Sequence, residues 1–310
     1  MSDVVTFGET MAAIRVAGPL RLGGPATLSI AGAESNVAIG LARLGHAVSW
    51  VGVTGADEPG ELIRRTLRAE RVDLTHARVD PDAPTGLILF EPRVADVNRV
   101  TYYRTGSAGS RLRPSDVEPA LGDPPRVLHV TGITAGLSSS SYTSWKSALR
   151  QANAAGILVC LDVNHRERVW SRADAAAALR PALASLGLVV ASDDELDVLT
   201  DAADPVADLL AAGVPEVVVK HGAGGATSHS AAGVVHRPAR AVPVVDTIGA
   251  GDAFVAGLLS GWLDGLDPGA RLDRAVVCGA FAVATRGDWE GLPTRADLPL
   301  LDVDRGTAVR

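Results

Sequence analysis

The sequence predicts an α/β fold: a mostly parallel sheet with helices on both faces and a second, smaller β-sheet projecting from it. Three observations lead there. From Arg126 onward β-type and helical segments alternate, which is the pattern of crossover units. The first third instead carries ribbon-like β segments around a single helix. At 310 residues and 47% hydrophobic content, the chain has the material for one large domain.

Taken in order, Val4-Val5 opens a strand directly after the first three residues. Met11 to Ile30 reads as an antiparallel ribbon interrupted at Gly23-Gly24-Pro25. Glu34 to Leu44 reads as a helix, with Val37, Leu41 and Leu44 on one face and Gly45 as its stop. Leu87 to Arg104 has β-type runs around the polar turn Ala95-Asp96-Val97-Asn98. Hairpins that do not alternate with helices suggest a small sheet, formed by approximately residues 11–31 and 86–113, that covers a ligand site as a lid.

The alternating region follows. Val127 to Thr131 is a strand, Ser138 to Ser141 begins a helix running over Ser140 to Ala154, and Gly156 stops it. Ile157 to Asp162 and Leu188 to Ser192 are strands, a helical stretch runs through Val206 to Ala212, and Glu216 to His221 is a further strand. Helices starting near Ala250 and Arg271 close the pattern. In open sheets of this kind ligands bind beyond the carboxyl ends of the strands.

Composition narrows the partners. A formal net charge of −7 argues against nucleic acid or an anionic membrane surface and favours a small metabolite. Cys160 and Cys278 have no second Cys or His at metal spacing, so two buried thiols in a reducing cytosol are expected. The amino terminus lacks a basic region followed by an apolar core, so a cytoplasmic protein is expected. The only lysines are Lys146 and Lys220.

The most informative stretch is Val244 to Phe254, where Asp246-Thr247-Ile248-Gly249-Ala250-Gly251-Asp252 joins a β-branched run to an apolar helix. Gly249 and Gly251 let backbone approach a ligand, and the first N–H groups of the helix point at an anion. A carboxylate there opposes an anion by charge. Asp252 therefore suggests a base acting on a nucleophile that attacks a phosphate.

These residues resemble the ribokinase, or PfkB-type, family of carbohydrate kinases over the whole chain. The resemblance rests on Gly8-Glu9, on Gly32-Ala33-Glu34-Ser35-Asn36 and on Asp246 to Phe254, in the family's order. It implies a ribokinase-like three-layer α/β/α core with a β-sheet lid, and ATP with Mg2+ as cofactors. Within the family, Thr101-Tyr102-Tyr103-Arg104-Thr105-Gly106-Ser107 with Asp162-Val163-Asn164-His165-Arg166 resembles the 2-keto-3-deoxygluconate kinases.

By this resemblance Asp252 takes the proton from a sugar hydroxyl, and the amides of Gly249, Ala250 and Gly251 form an anion hole. Lys220 and the glycines Gly222 and Gly225 correspond to the nucleotide loop, against the plainer reading of a hairpin turn. Asn164, Ser192 and Glu195 fall at positions near the phosphates and hydrated magnesium. Ser192 stands where the family has Asn, which shifts the expected metal shell toward water; Glu195 acts through water or is simply a first-turn helix acid. Gly32 and Asn36 meet the sugar. Arg104 and Arg166 would grip a carboxylate in two-pronged fashion, whereas a neutral hexose would leave them unpaired; Tyr102 offers a hydroxyl and a ring. Surface placement of the arginines and core packing of the tyrosine are the plainer alternatives. Ile88 departs from the tyrosine expected after Thr85-Gly86-Leu87. The family also implies a homodimer through the lid.

Rival classes fit less well. A dinucleotide turn needs a third glycine where Phe254 stands, and a Walker loop needs its lysine after the glycines, whereas Lys220 precedes them. A non-catalytic sugar sensor on the same fold would be favoured by loss of Asp252, which is present. Neutral-sugar acceptors, fructose or ribose, remain the alternative substrates. The remaining histidines show no metal pattern and read as surface or loop residues.

Overall fold

The computed structural model describes residues 2–94 and 97–303. The first third holds β1 (Val4–Phe7), β2 (Met11–Val16), β3 (Ala26–Ala31), β4 (Val48–Val51), β5 (Val53–Gly55), β6 (Arg78–Asp80), β7 (Leu87–Val94) and β8 (Val97–Tyr103). The remainder holds β9 (Val127–Thr131), β10 (Leu158–Asp162), β11 (Leu188–Ser192), β12 (Glu216–Lys220), β13 (Ala226–Ser230) and β14 (Gly233–Arg237). Eight strands form the main sheet in the order β14-β13-β12-β11-β10-β9-β1-β4. Pairing is parallel from β4 to β12, and β13 and β14 add an antiparallel edge.

The central strands are apolar throughout because both faces are covered, as a parallel sheet requires. Neighbouring residues serve opposite cores. Val5, Phe7, Leu128, Leu161 and Val189 pack on one face with Trp145 and Leu149 of the helix Ser139–Ala154. Val4, Val127, Cys160, Val190 and Val218 pack on the other with the helices Ala33–Arg43, Ala250–Leu263 and Pro268–Val283. This is the expected arrangement of sheet and helices, and both thiols are free and buried within it.

Local chemistry sets the helix ends. Ser138 Oγ accepts from Ser141 N at 3.1 Å, as a helix-starting serine should. The last helix begins at Pro268, before the predicted Arg271, because Asp267 caps the amides of Gly269 and Ala270 and proline suits the first position.

The small sheet has the order β3-β2-β7-β8. Its inner face carries Met11, Ala13, Ala31, Ile88 and Phe90. The predicted turn residues Ala95 and Asp96 lie outside the described residues. Residues 104–113 do not extend this sheet: after Tyr103 the chain turns through Gly109–Arg111, and Ala108 and Leu112 join the main core. A separate parallel pair, β5 with β6, was not legible in the sequence because its strands are three residues long.

His129 departs from its surface expectation. It is wholly buried on β9, and its Nδ1 lies 2.9 Å from Thr6 Oγ1. Burial, reinforced by Lys220, pushes its pKa down to about 3, so it stays neutral in the core.

Candidate active site

Two helix crossings place Asp252. A Cβ on Gly40 would stand 2.6 Å from Ala256 Cβ, and one on Gly257 would stand 2.8 Å from Arg274 O. Only glycine allows such close helix approach. One turn before the Gly40–Ala256 contact, Asn36 Nδ2 donates to Asp252 Oδ2 at 2.7 Å. Asn164 Nδ2 reaches Oδ1 of the same carboxylate at 3.5 Å, from a left-handed backbone (φ 39°) that asparagine tolerates better than most residues. The carboxylate is thus held from both sides.

Gly249 precedes the first helical residue with φ 75°, and a Cβ there would lie 1.9 Å from Asp288 O. The turn is closed to any side chain. The amides of the helix's first turn have no carbonyl four residues back within the helix. Of these, Ala250 N makes only a long 3.4 Å contact with Thr247 O. An anion can therefore sit against this turn beside Asp252.

All fifteen predicted site residues line one cleft of about 970 Å³ at the carboxyl ends of the main strands, under the small sheet; Gly32, Asn36, Tyr102, Arg104, Asn164, Arg166, Ser192, Glu195, Lys220, Gly222, Gly225, Gly249, Ala250, Gly251 and Asp252 share it. The size is that of a small-molecule site.

Residues 1–295 match the family model described as pfkB family carbohydrate kinase. The chain belongs to the PfkB family of carbohydrate kinases. It is 35% identical to the 2-dehydro-3-deoxygluconokinase of Thermoproteus tenax over 305 residues, covering 95% of this chain and 92% of that one. The Bacillus subtilis (strain 168) protein of the same name is 36% identical, with 96% and 94% covered. Among solved structures, one described as Ribokinase II from E. coli in complex with ATP and Mg2+ superposes with a TM-score of 0.90 at 26% identity, covering 97% of this chain and 99% of that one. The three-layer ribokinase-like fold and the assignment as an ATP-dependent sugar kinase follow.

Electrostatics in this PfkB kinase centre on Asp252. Burial raises its carboxyl and Asp162 adds to the effect, while the Asn36 hydrogen bond, Arg166 and Lys220 oppose it; the result is a pKa of about 7. Lys220 does not project into the glycine loop. Its Nζ lies 2.9 Å from Asp162 Oδ1 and within 3.6 Å of where a Gly251 Cβ would stand, beside the anion turn. Burial works against the Lys220 charge, but Asp162, Glu195 and Asp252 outweigh it and raise its pKa.

Gly222 (φ 55°) and Gly225 (φ 96°) bend the chain after β12, and a Cβ on Gly225 would lie 2.0 Å from Arg237 O. Glu195 caps its own turn: one oxygen accepts Ser192 N and the other accepts His165 N, both at 2.8 Å. The helix-acid reading of Glu195 is therefore correct as structure, and Ser192 meets it through its backbone. Among the described residues no cluster of three metal-ligating side chains occurs. Magnesium ordinarily binds through one or two carboxylates, water and phosphate. The cleft-facing Glu195 carboxylate and the buried, unpartnered Asn164 Oδ1 fit a hydrated ion of that kind.

The acceptor side corrects one expectation. Arg104 is already paired: its guanidinium contacts Glu9 Oε2 at 2.6 Å, and Ser107 Oγ donates to Glu9 Oε1. A neutral sugar would not leave Arg104 uncompensated, because the buried Glu9 needs that charge. Arg166 differs: it is exposed, its backbone carbonyl accepts from Val169 N and Trp170 N, and its guanidinium has no hydrogen-bond or ion-pair partner among the described residues. Tyr102 packs its ring 5.7 Å from the Arg104 guanidinium and against the inner apolar face, and it lines the cleft. Gly32 is required by space: a Cβ would lie 2.7 Å from Glu9 O. Ile88 belongs to the same apolar face and lines the cleft.

Sequence reasoning gave no site role to four carboxylates at this cleft: Glu9, Glu34, Asp162 and Asp288. Asp162 ends a predicted strand, which was signal enough. Glu34 is buried with its pKa raised by that burial, and accepts both Thr131 Oγ1 and Thr134 Oγ1 at 2.5 Å. Glu9 and Glu34 lie in motifs that carry the resemblance, whereas Asp288 has no local pattern that marks it.

Proposed function

We propose that this kinase transfers the γ-phosphate of ATP to the primary hydroxyl of 2-keto-3-deoxygluconate, the 2-dehydro-3-deoxygluconate of the relatives' names, giving the 6-phospho product. Arg166 carries the choice of an acid sugar. It is the cleft-lining cation on the acceptor side that lacks a partner among the described residues, and it acts on Asp252 through space. A guanidinium without a partner is matched by a substrate carboxylate.

In this reading Asp252 accepts the hydroxyl proton as the sugar oxygen bonds to the γ-phosphorus and the bond to the β-phosphate oxygen breaks, releasing ADP. Asn36 and Asn164 keep its two oxygens in place. The amides from Gly249 to Gly251 and the Lys220 ammonium receive charge on the transferred group. Gly222 and Gly225 lie beside the nucleotide, Gly32, Tyr102 and Asn36 beside the sugar, and the small sheet is the lid over it. Glu195 and Asn164, with Ser192 nearby, would hold a hydrated magnesium ion, which would supply charge neutralisation of the phosphates. The exposed Leu28 (65%) and Tyr103 (60%) on the small sheet, with Leu22 (74%) in the turn between β2 and β3, support a dimer through the lid.

The test is a panel of Mg·ATP phosphorylation rates on 2-keto-3-deoxygluconate, fructose, ribose and related sugar acids. The highest kcat/KM should fall on the keto-deoxy acid. A neutral hexose or pentose in first place would refute the acid-sugar assignment.

A further inference from the structure

Arg15 has no place in the chemistry described so far, yet it joins the small sheet to the phosphoryl-binding turn. It lies on β2, paired with Phe90 of β7, and its guanidinium sits 4.1 Å above that ring. One nitrogen donates to Asp246 Oδ2 at 3.1 Å and another to Asp288 Oδ1. The three side chains are nearly buried, at 12%, 7% and 8% exposure.

Each carboxylate is itself part of the turn's support. Asp246 opens the turn, and its Oδ1 accepts Ile248 N at 3.2 Å. Asp288 lines the cleft and presents its backbone carbonyl to Gly249, leaving no room for a side chain. Ile248, between them, packs against the inner apolar face of the small sheet. β2 is therefore tied to both ends of the anion turn, by charge through Arg15 and by packing through Ile248. A singly charged guanidinium between two buried carboxylates is a costly arrangement unless geometry repays it, since burial holds Asp288 at a pKa of about 6 despite Arg15.

We infer that Arg15 is a positioning residue for phosphoryl transfer: by bridging Asp246 and Asp288 it sets the anion turn when the small sheet lies over the acceptor. Its side chain is not among those that line the cleft. The inference rests on the reading that the turn from Gly249 to Gly251 receives the transferred group.

The experiment compares Arg15→Met, Arg15→Lys and Gly249→Ala, with Mg·ATP and the best acceptor of the panel, rates being expressed per titrated active site. Arg15→Met should lower kcat by up to about 10²-fold, the effect of a displacement near 1 Å, with KM for ATP little changed. Arg15→Lys keeps the charge without the two-pronged reach and should fall between Arg15→Met and the wild type. In an Asp288→Asn background the effect of Arg15→Met should shrink. Should Arg15→Met not fold, the lysine variant and its Asp288→Asn combination decide alone. Wild-type kcat per active site in the lysine variant, with only Tm reduced, would show Arg15 to be a structural tie and overturn the inference. Undiminished turnover in Gly249→Ala would instead overturn the underlying reading of the turn.

Discussion

Asn36 donates to Asp252 across 2.7 Å because Gly40 and Ala256, one turn further along the same two helices, pack where a larger residue at position 40 would hold them apart. The carboxylate and its hydrogen-bond donor come from residues 216 apart in sequence. Helix packing, at that distance, does the work of local geometry, and it gives the Asp252 carboxylate both its orientation and part of its pKa.

Asp252→Asn should retain ATP binding and lose roughly 10²- to 10⁴-fold in kcat, the ordinary contribution of a general base. It should also be more thermostable than the parent at pH 8. The folded carboxyl, at about 7, ionises less readily than an unfolded one. Its contribution to stability is full below the ordinary carboxylate range and is lost as pH rises through about 7. The Tm gain of the amide should therefore be small at pH 4 and larger at pH 8; a gain independent of pH would contradict the assigned shift.

The same pKa predicts the rate profile. With Asp252 acting as a carboxylate, kcat/KM should rise from acid pH and level off above about 7. Asn36→Ala removes a hydrogen bond that favours the charged form, so the rise should move to higher pH and the plateau should fall. An unmoved limb would mean that another group controls it.

Gly249→Ala should abolish most turnover. An alanine must adopt a left-handed φ of 75° with its methyl against Asp288 O, so the turn has to open. Loss of kcat with the helix content preserved by circular dichroism would support this, and normal kinetics would not.

Arg166→Ala should raise KM for acid sugars by about 10- to 150-fold, the equivalent of one hydrogen-bonded charge at about 1.5–3 kcal/mol, with little change for neutral sugars. Arg104→Ala should behave differently. It leaves Glu9 buried and uncompensated, so stability should drop along with activity toward every acceptor. Matching KM effects of Arg166→Ala on acidic and neutral sugars would remove the argument for a carboxylate clamp.

Wherever function depended on residues close in the chain, the string of amino acids was enough. The strands from Val127 to Lys220, the helix stops at Gly45 and Gly156, and the turn with its aspartate at Gly249-Ala250-Gly251-Asp252 are local patterns, set by period and by glycine's backbone freedom. Those patterns, with the family's motif order, placed the site at the strand ends. Pairing between distant side chains was not legible. That Glu9 neutralises Arg104, that Asp162 holds Lys220 beside the anion turn, and that Arg15 spans Asp246 and Asp288 are facts of the assembled sheets. Burial explains the difference. A buried charge takes its partner from whatever the packing brings near, so Arg104 and Arg166, alike on paper, become a compensated ion pair and an unpartnered guanidinium.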